Sequence, residues 1–210
     1  MTARLERVVT HGTFVLDRGT WEVDNNVWIL GDDAECVVID AAHDAAPIIE
    51  AIGDRRLTAI LCTHGHNDHI NAAEALADAT GAPILLHPDD RMLWDQVYPE
   101  LAPDDDLEHD REVRVTGTIV LKTLHTPGHT PGGCTFYWAA GGTVFSGDTL
   151  FKGGPGATGR SYSDFGTIIQ SIKERLLGLP PETVVHTGHG DDTTIGDEAP
   201  HLDEWVKRGH

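Results

Sequence analysis

The spacing of apolar and polar positions predicts a mixed α/β protein. Short apolar runs bounded by turn residues predict strands, and apolar positions at helical spacing predict helices between them. The predicted strands cover residues 7–16, 21–30, 35–40, 57–62, 83–86, 112–124, 134–139, 143–146 and 183–185, with polar residues 24–26 as a turn. The predicted helices cover residues 45–52, 68–80, 89–97, 165–177 and a C-terminal stretch from Pro200 through Val206.

The order of these elements predicts the architecture. Strands followed by helices occur in the first part of the chain and again, in outline, in the second. Such an order favours two packed sheets with helices on their outer faces. We find no repeat and no linker between compositionally different halves, so we expect one domain over residues 1–210. The acidic run at 103–106 is interpreted as a solvated loop.

Composition limits the partners. The formal net charge of −19 disfavours nucleic acid and anionic membranes, because both require clustered positive charge. No apolar run is long enough to span a bilayer, and the N-terminus lacks the apolar segment of a signal peptide. We therefore expect a cytoplasmic protein, monomeric or homodimeric, that acts on a small molecule. Cys36, Cys62 and Cys134 are expected to be buried free thiols.

The densest cluster of side chains able to bind a metal ion lies at residues 63–69, Thr-His-Gly-His-Asn-Asp-His. This segment follows the predicted strand at 57–62 and leads into the helix at 68–80, so it forms a strand-to-helix turn. His64 and His66 are expected to point to one side, while Asp68 and His69 point in other directions. One turn can therefore supply ligands to two neighbouring metal sites.

Three further segments place a His or Asp beside glycines at a turn. They contain His129 (126–132), Asp148 (145–150) and His189 (186–190). Glycine permits a sharp backbone path that brings a short side chain into a shared cavity. Each segment alone is compatible with an ordinary turn, but together with residues 63–69 they predict a metal centre.

In these residues the chain resembles the metallo-beta-lactamase superfamily, whose signature is His-x-His-x-Asp-His followed by a distant His, Asp and His. The resemblance covers essentially the whole chain and implies an αβ/βα four-layer sandwich of two mixed sheets flanked by helices. It also implies two divalent metal ions at one edge, most often Zn²⁺, although the donors equally suit iron or manganese. By this resemblance one metal is held by His64, His66 and His129, and the other by Asp68, His69 and His189, with Asp148 bridging both.

The implied chemistry is metal-assisted hydrolysis. Two adjacent cations lower the pKa of a bound water and polarise a carbonyl, so no side-chain nucleophile is needed. Asp68 and Asp148 would then be catalytic residues as well as ligands. The chain has no Gly-x-Ser-x-Gly elbow as a rival.

The pairing of Asp68 with His69 resembles glyoxalase II and its small relatives, which implies a thioester substrate. A thiolate leaves easily, because its parent thiol has a pKa of about 8.5. Two departures disfavour glutathione as the carrier: the long C-terminal helical domain does not follow His189, and Ala157 and Gly159 replace the Lys and Tyr of glutathione-using members. The loop at 156–165 resembles small actinobacterial relatives, so mycothiol or another small thiol is our hypothesis.

Several polar residues near the motifs are weaker candidates. Lys152 and Arg160 are candidate contacts for a substrate carboxylate or polar carrier, and Tyr162 and Asp164 are candidates for lining the pocket. His87 is a candidate for orienting a metal ligand. His186 is interpreted as structural, and the role of His43 is left open.

Three other functions stay open on the sequence. A persulfide dioxygenase shares the His-x-His-x-Asp-His motif but uses a single iron. A lactonase or beta-lactamase shares the superfamily's hydrolytic chemistry. A non-catalytic metal-binding module is disfavoured because all seven ligand positions are intact.

Overall fold

A computed structural model describes residues 2–209 of the chain. The predicted domain over 1–210 therefore includes Met1 and His210, which lie outside the described residues. The strands are β1 (Arg4–Leu16), β2 (Gly19–Gly31), β3 (Glu35–Ile39), β4 (Arg56–Leu61), β5 (Ile84–Leu86), β6 (Asp105–Asp106), β7 (Glu112–Arg114), β8 (Val120–His125), β9 (Cys134–Trp138), β10 (Thr143–Gly147), β11 (Leu150–Phe151), β12 (Gly154–Pro155), β13 (Val184–Thr187) and β14 (Thr193–Thr194). The helices are α1 (Ala45–Ile52), α2 (Asn67–Ile70), α3 (Ala73–Thr80), α4 (Arg91–Val97), α5 (Phe165–Ser171), α6 (Ile195–Glu198) and α7 (Leu202–Arg208).

The strands form two mixed sheets and a small hairpin. The first sheet has the order β1-β2-β3-β4-β5-β6, and the second has the order β14-β13-β10-β9-β8-β7. β1, β2 and β3 pair antiparallel, whereas β3 to β6 run parallel. In the second sheet β10 and β13 are parallel and the other pairs are antiparallel. The parallel strands end at one edge, which is where ligands bind in open α/β sheets.

Side chains of the central strands are buried on both faces, which explains their continuous apolar runs. On β2, for example, Ile29 faces the core under the first layer of helices, while Leu30 faces the second sheet. A third core joins the second sheet to α5 and α7 through Ile168 and Trp205. The resulting order is helix, sheet, sheet, helix, so the predicted four-layer sandwich with two mixed sheets is confirmed.

The turn predicted at residues 24–26 is wrong. These residues lie inside β2, where Asn25 and Asn26 pair with Thr10 and Val9 of β1. Their polar side chains are buried but hydrogen-bonded across the molecule, since the Asn26 amide donates to the carbonyl oxygens of Thr187 and Gly190. The polar stretch in this strand therefore supplies hydrogen bonds to the second sheet and does not reverse the chain.

Two predicted elements are interrupted. The helix predicted at 68–80 divides into α2 and α3, because Ala72 leaves helical geometry and its amide donates to the Ala41 carbonyl. The strand predicted at 112–124 divides into β7 and β8 around a turn at 115–119, where the Thr116 hydroxyl accepts from two backbone amides.

Smaller features also bear on the predictions. The acidic run is partly a strand, because β6 pairs with β5, although its side chains remain exposed as expected. Cys36, Cys62 and Cys134 are buried and free, which confirms the prediction for the thiols. Among the described residues, no helix combines the length and apolar character needed to cross a membrane.

Candidate metal centre

Four loops bring the predicted ligands to one edge of the sandwich. Residues 63–69 follow β4 in the first sheet. The segments carrying His129, Asp148 and His189 follow β8, β10 and β13 in the second sheet. The strand ends therefore deliver side chains from both halves of the chain into the cleft between the sheets.

His64, His66 and His129 form a first triad. Nδ1 of His66 lies 3.0 Å from Nε2 of His64 and 3.1 Å from Nε2 of His129. The three rings stand edge to face at 83–90°. Rings in this arrangement point their lone pairs at one common position, as ligands of a single ion do.

Asp68, His69 and His189 form a second triad. Nε2 of His69 lies 3.2 Å from Nε2 of His189, and Oδ2 of Asp68 lies 3.4 Å from the latter. Asp148 stands between the triads, with Oδ1 3.4 Å from Nε2 of His69 and Oδ2 3.6 Å from Nε2 of His129. The structure thus gathers all seven predicted ligands, in the division that the resemblance implies.

The donor atoms fit two divalent cations. Nitrogen and oxygen donors about 3.0–3.5 Å apart suit an ion bound at about 2.0–2.2 Å. Oδ1 of Asp68 and Oδ1 of Asp148 are buried without a hydrogen-bond partner among the described residues. Buried carboxylate oxygens are costly without a partner, and divalent cations held by these donors would supply one. Imidazole and carboxylate donors accept zinc, iron or manganese and do not select among them.

Hydrogen bonds fix the orientation of the ligand rings. Nδ1 of His69 donates to Oδ2 of Asp40, at 2.9 Å, and Nδ1 of His129 donates to the Ala157 carbonyl at 2.8 Å. Nδ1 of His189 donates to the Asp24 carbonyl at 2.7 Å. Such partners set the tautomer and raise the basicity of the ligand nitrogen. His69, His129 and His189 are therefore preset to present Nε2 to a metal ion.

A second chain of hydrogen bonds orients Asp68 and gives His43 a role. Nδ2 of Asn25 donates to Oδ2 of Asp68 at 3.2 Å, and Oδ1 of Asn25 accepts from Nε2 of His43 at 2.9 Å. Oδ1 of Asn71 accepts from the His43 amide, so the Asn71 Nδ2 is the donor to Nδ1 of His43. His43 thereby holds Asn25 in the orientation that donates to Asp68. Sequence reasoning missed Asn25, whose only signal was a polar residue within an apolar strand.

Before a cation binds, the pKa values of His64 and His66 are shifted in the opposite direction from those of His69 and His189. Burial and the neighbouring rings lower the pKa of His64 well below its usual value, and burial with His129 lowers the pKa of His66 to about 3. Burial alone would also lower the pKa of His69 and His189. The carboxylates of Asp148 and Asp68 outweigh it, raising the pKa of His69 well above normal and that of His189 to about 10.

We expect metal binding at neutral pH to release protons from His69 and His189 and not from His64 or His66. His69 and His189, with raised pKa values, hold protons that a cation must displace, whereas His64 and His66 are already neutral. Filling the second triad should therefore release about two protons, and its affinity should rise with pH. Titration calorimetry in buffers of different ionisation enthalpy measures this release. His189→Ala should reduce it by about one proton, and equal release from both triads would contradict the expectation.

An open cavity of about 330 Å³ leads to the centre. Phe14 and Trp21 form an aromatic wall, with ring centroids 5.5 Å apart, and Phe14 packs edge-on against His66 at 5.1 Å. The Arg160 guanidinium lies 4.0 Å above the Trp21 ring and also lines the cavity. The entrance thus combines an apolar surface with a cation beside it.

The other predicted substrate contacts lie elsewhere. Lys152 pairs with Asp191 at 3.3 Å, and both side chains are exposed outside the cavity lining. Tyr162 sits in a turn with φ of 70° and is 52% exposed, also outside the lining. Asp164 caps α5 by accepting from the Thr167 amide. Of these predicted contacts, the structure leaves Arg160 at the cavity.

His87 was predicted to orient a metal ligand, but its side chain does not contact a ligand ring. Its imidazole stacks on His125 with centroids 4.0 Å apart and ring planes 10° apart, and its Nδ1 accepts from the Asp89 amide. Because these two rings are parallel, their lone pairs run along parallel lines and do not meet at one metal ion, unlike those of the crossed rings in the first triad. His186 pairs with Asp192 at 2.9 Å and packs on Trp28, in keeping with a structural role.

Comparison with known proteins places the chain among characterised families. The sequence profile described as the metallo-beta-lactamase superfamily matches residues 20–189. The hydroxyacylglutathione hydrolase GloC of Haemophilus influenzae is 34% identical over 185 residues, covering 81% of this chain and 87% of that protein.

Two solved structures share the fold over most of the chain. The BLEG-1 B3 metallo-beta-lactamase superposes with a TM-score of 0.78 at 30% identity, covering 92% of this chain and 98% of that one. TTHA1623 in a di-iron-bound form superposes with a TM-score of 0.73 at 35% identity, covering 84% of this chain and 93% of that one.

Proposed function

The chain belongs to the metallo-beta-lactamase superfamily of metal-dependent hydrolases, and from this we propose that it hydrolyses acyl thioesters of a small thiol. The proposed cofactors are two divalent cations, with zinc as the first candidate. Iron is the alternative, because a structural relative is described as di-iron-bound.

One observation supports the choice of a thioester: apart from the proposed metal ligands, the described residues that line the cavity include no side chain suited to protonate a leaving group. They include no Lys, Tyr or Cys, and Arg160 does not give up its proton near neutral pH. Burial would raise the pKa of Asp68 and Asp148, but His69 and His189 hold both carboxyl groups below their usual pKa. A leaving thiolate needs no proton, whereas an amine or alkoxide does. The related hydroxyacylglutathione hydrolase supports the same substrate class.

The residues of the centre have distinct parts in this reaction. Divalent cations held by the two triads would supply Lewis acidity, which polarises a carbonyl and lowers the pKa of a water. Asp148 lies between the triads, near His69 and His129, and Asn25 donates to Asp68 and so orients its carboxylate. Phe14 and Trp21 exclude water from one side of the acyl group. Arg160 is positioned to meet a carboxylate of the substrate or a polar group of the thiol carrier.

A substrate panel on protein of measured metal content tests the function. We expect turnover of S-lactoyl or S-formyl thioesters with about two zinc ions per chain, and much slower turnover of lactones and beta-lactams. Varying only the thiol, from glutathione to mycothiol and a small neutral thiol, identifies the carrier. Arg160→Gln should raise KM for carriers with a carboxylate and leave KM for the neutral thiol unchanged, because it removes only the cation.

Different outcomes point to different functions. One iron per chain with oxygen uptake on a thiol persulfide would replace the proposal with a dioxygenase. Preferred turnover of a beta-lactam would replace it with the activity named for the BLEG-1 relative. Full metal loading with no turnover across the panel would contradict catalysis on thioesters.

A further inference from the structure

A buried carboxylate outside the predicted ligand set joins the loops of the first triad. Asp90 is 0% exposed and lies at the end of a short 3₁₀ turn, Pro88–Asp90, between β5 and α4. Its Oδ2 accepts from the Gly65 amide at 2.8 Å and from the Thr130 hydroxyl at 2.7 Å. Its Oδ1 accepts from the Gly132 amide at 2.6 Å. Both carboxylate oxygens are therefore fully engaged.

The donors belong to the loops that carry the first triad. Gly65 lies between His64 and His66 in the first half of the chain, and Thr130 and Gly132 follow His129 in the second half. One carboxylate thus sets the distance between two loops from different sheets. The hydrogen bonds of the Asp90 side chain reach no residue of the second triad.

The packing around Asp90 is as close as its hydrogen bonding. A Cβ atom added at Gly132 would lie 2.7 Å from the Asp90 backbone nitrogen and 2.8 Å from its Cγ. A Cβ atom at Gly65 would lie 3.0 Å from the Asp90 carbonyl oxygen. Each loop therefore approaches Asp90 through a residue without a side chain, and glycine is needed at each contact because a Cβ atom would clash.

The turn that carries Asp90 is itself held in place. The His87 side chain caps it by accepting from the Asp89 amide, and the Asp90 amide donates to the His87 carbonyl at 3.0 Å. The His87 ring stacks on His125, the last residue of β8, which leads to the His129 loop. This arrangement fixes Asp90 relative to both sheets.

We propose that Asp90 is a positioning residue that sets the geometry of the first metal site by tying the His64–His66 loop to the His129 loop. The inference rests on the first triad holding a metal ion, as the proposed function requires. It does not depend on which bond the enzyme cleaves.

Asp90→Asn is the discriminating substitution. An amide retains one acceptor oxygen and places an NH₂ donor where the second oxygen was. In either orientation that NH₂ faces the Gly65 or the Gly132 amide, so one backbone N–H loses its partner. The side-chain volume is unchanged, and neither triad loses a ligand.

Cobalt titration of the metal-free proteins, followed by absorption, measures each site. Loss of a residue that supports a metal ligand typically weakens metal binding by about 10–100-fold, and we expect this for the first site of Asp90→Asn. The second site should bind as in the parent. With one cobalt per chain, Asp90→Asn should give the spectrum of His66→Ala, which retains only the second triad. His189→Ala provides the reference spectrum of the first triad.

Asp95→Asn is the matched control, because it makes the same change at an exposed aspartate of α4 that pairs with Arg91. It should leave both affinities unchanged. Parent-like affinity at both sites of Asp90→Asn would overturn the proposal, and so would equal weakening of both sites.

Thr130→Val decides the matter if Asp90→Asn does not fold. It removes one hydrogen bond to Asp90 and preserves side-chain shape. We expect selective weakening of the first site by up to about tenfold, and unchanged affinity there would overturn the proposal. The readout is metal binding and not catalysis. If a variant weakens the first site selectively while the parent protein hydrolyses no thioester, this inference stands and the proposed function is rejected.

Discussion

Asp148→Ala is expected to abolish hydrolysis and lower the bound metal to one ion per chain or fewer. Asp148 places its oxygens 3.4 Å from Nε2 of His69 and 3.6 Å from Nε2 of His129, between the two triads. Removing it takes a ligand from both cations at once. The loss in rate should exceed the roughly 100-fold effect of removing a supporting residue. Thioester turnover and elemental metal analysis on the same preparation check this.

Asp191→Ala is a suitable control, because Asp191 is an exposed aspartate near the same edge that pairs with Lys152. It should retain metal content and turnover. Unchanged hydrolysis in Asp148→Ala would contradict the bridging role and with it the dinuclear centre.

Asp40→Ala is expected to reduce both stability and metal binding. Oδ1 of Asp40 accepts from the Thr63 amide, and Oδ2 accepts from the Thr63 hydroxyl and from Nδ1 of His69. All three donors are buried. Leaving buried donors unpaired costs about 1–3 kcal/mol each, so unfolding free energy should fall by about 3 kcal/mol or more. Affinity at the second triad should fall by about 10–100-fold. Chemical denaturation and metal titration measure the two effects.

Asp44→Ala supplies the comparison for Asp40. Asp44 lies in the same connection and caps α1 by accepting from the Ala46 amide, an exposed contact. Its loss should cost about 1 kcal/mol and leave metal affinity unchanged. If Asp40→Ala behaved in the same way, Asp40 would have no special role in orienting His69.

Most elements were predictable because their signals are local. The strand before the metal motif and the helix α1 follow from apolar spacing and bounding turn residues within short windows. The interruption at 71–72 was not predictable in this way, because it depends on the contact of the Ala72 amide with the Ala41 carbonyl, which no local pattern encodes. The turn at 115–119 is held by local hydrogen bonds to the Thr116 hydroxyl, a signal that the sequence analysis missed.

The candidate ligands were also accessible from the sequence, because His and Asp are concentrated at residues 63–69 and recur beside glycines at three later turns, and the family resemblance joins these segments into one ligand set. Their supporting residues were not. Asn25 was interpreted as part of a turn, and Asp40 and Asp90 carried no motif. Each supports the site through partners distant in sequence, such as Asp68, 43 residues from Asn25.

The sequence alone determined the class of fold and the residues that can form a metal centre, because side-chain periodicity and glycine-flanked turns are properties of adjacent residues. Only the tertiary structure decided which groups orient those ligands, and that Arg160, unlike Lys152, lies at the cavity. The Asp24 carbonyl and the His189 ring it fixes are 165 residues apart. Contacts of that kind arise only when both sheets pack, since packing brings the ends of distant strands to one edge.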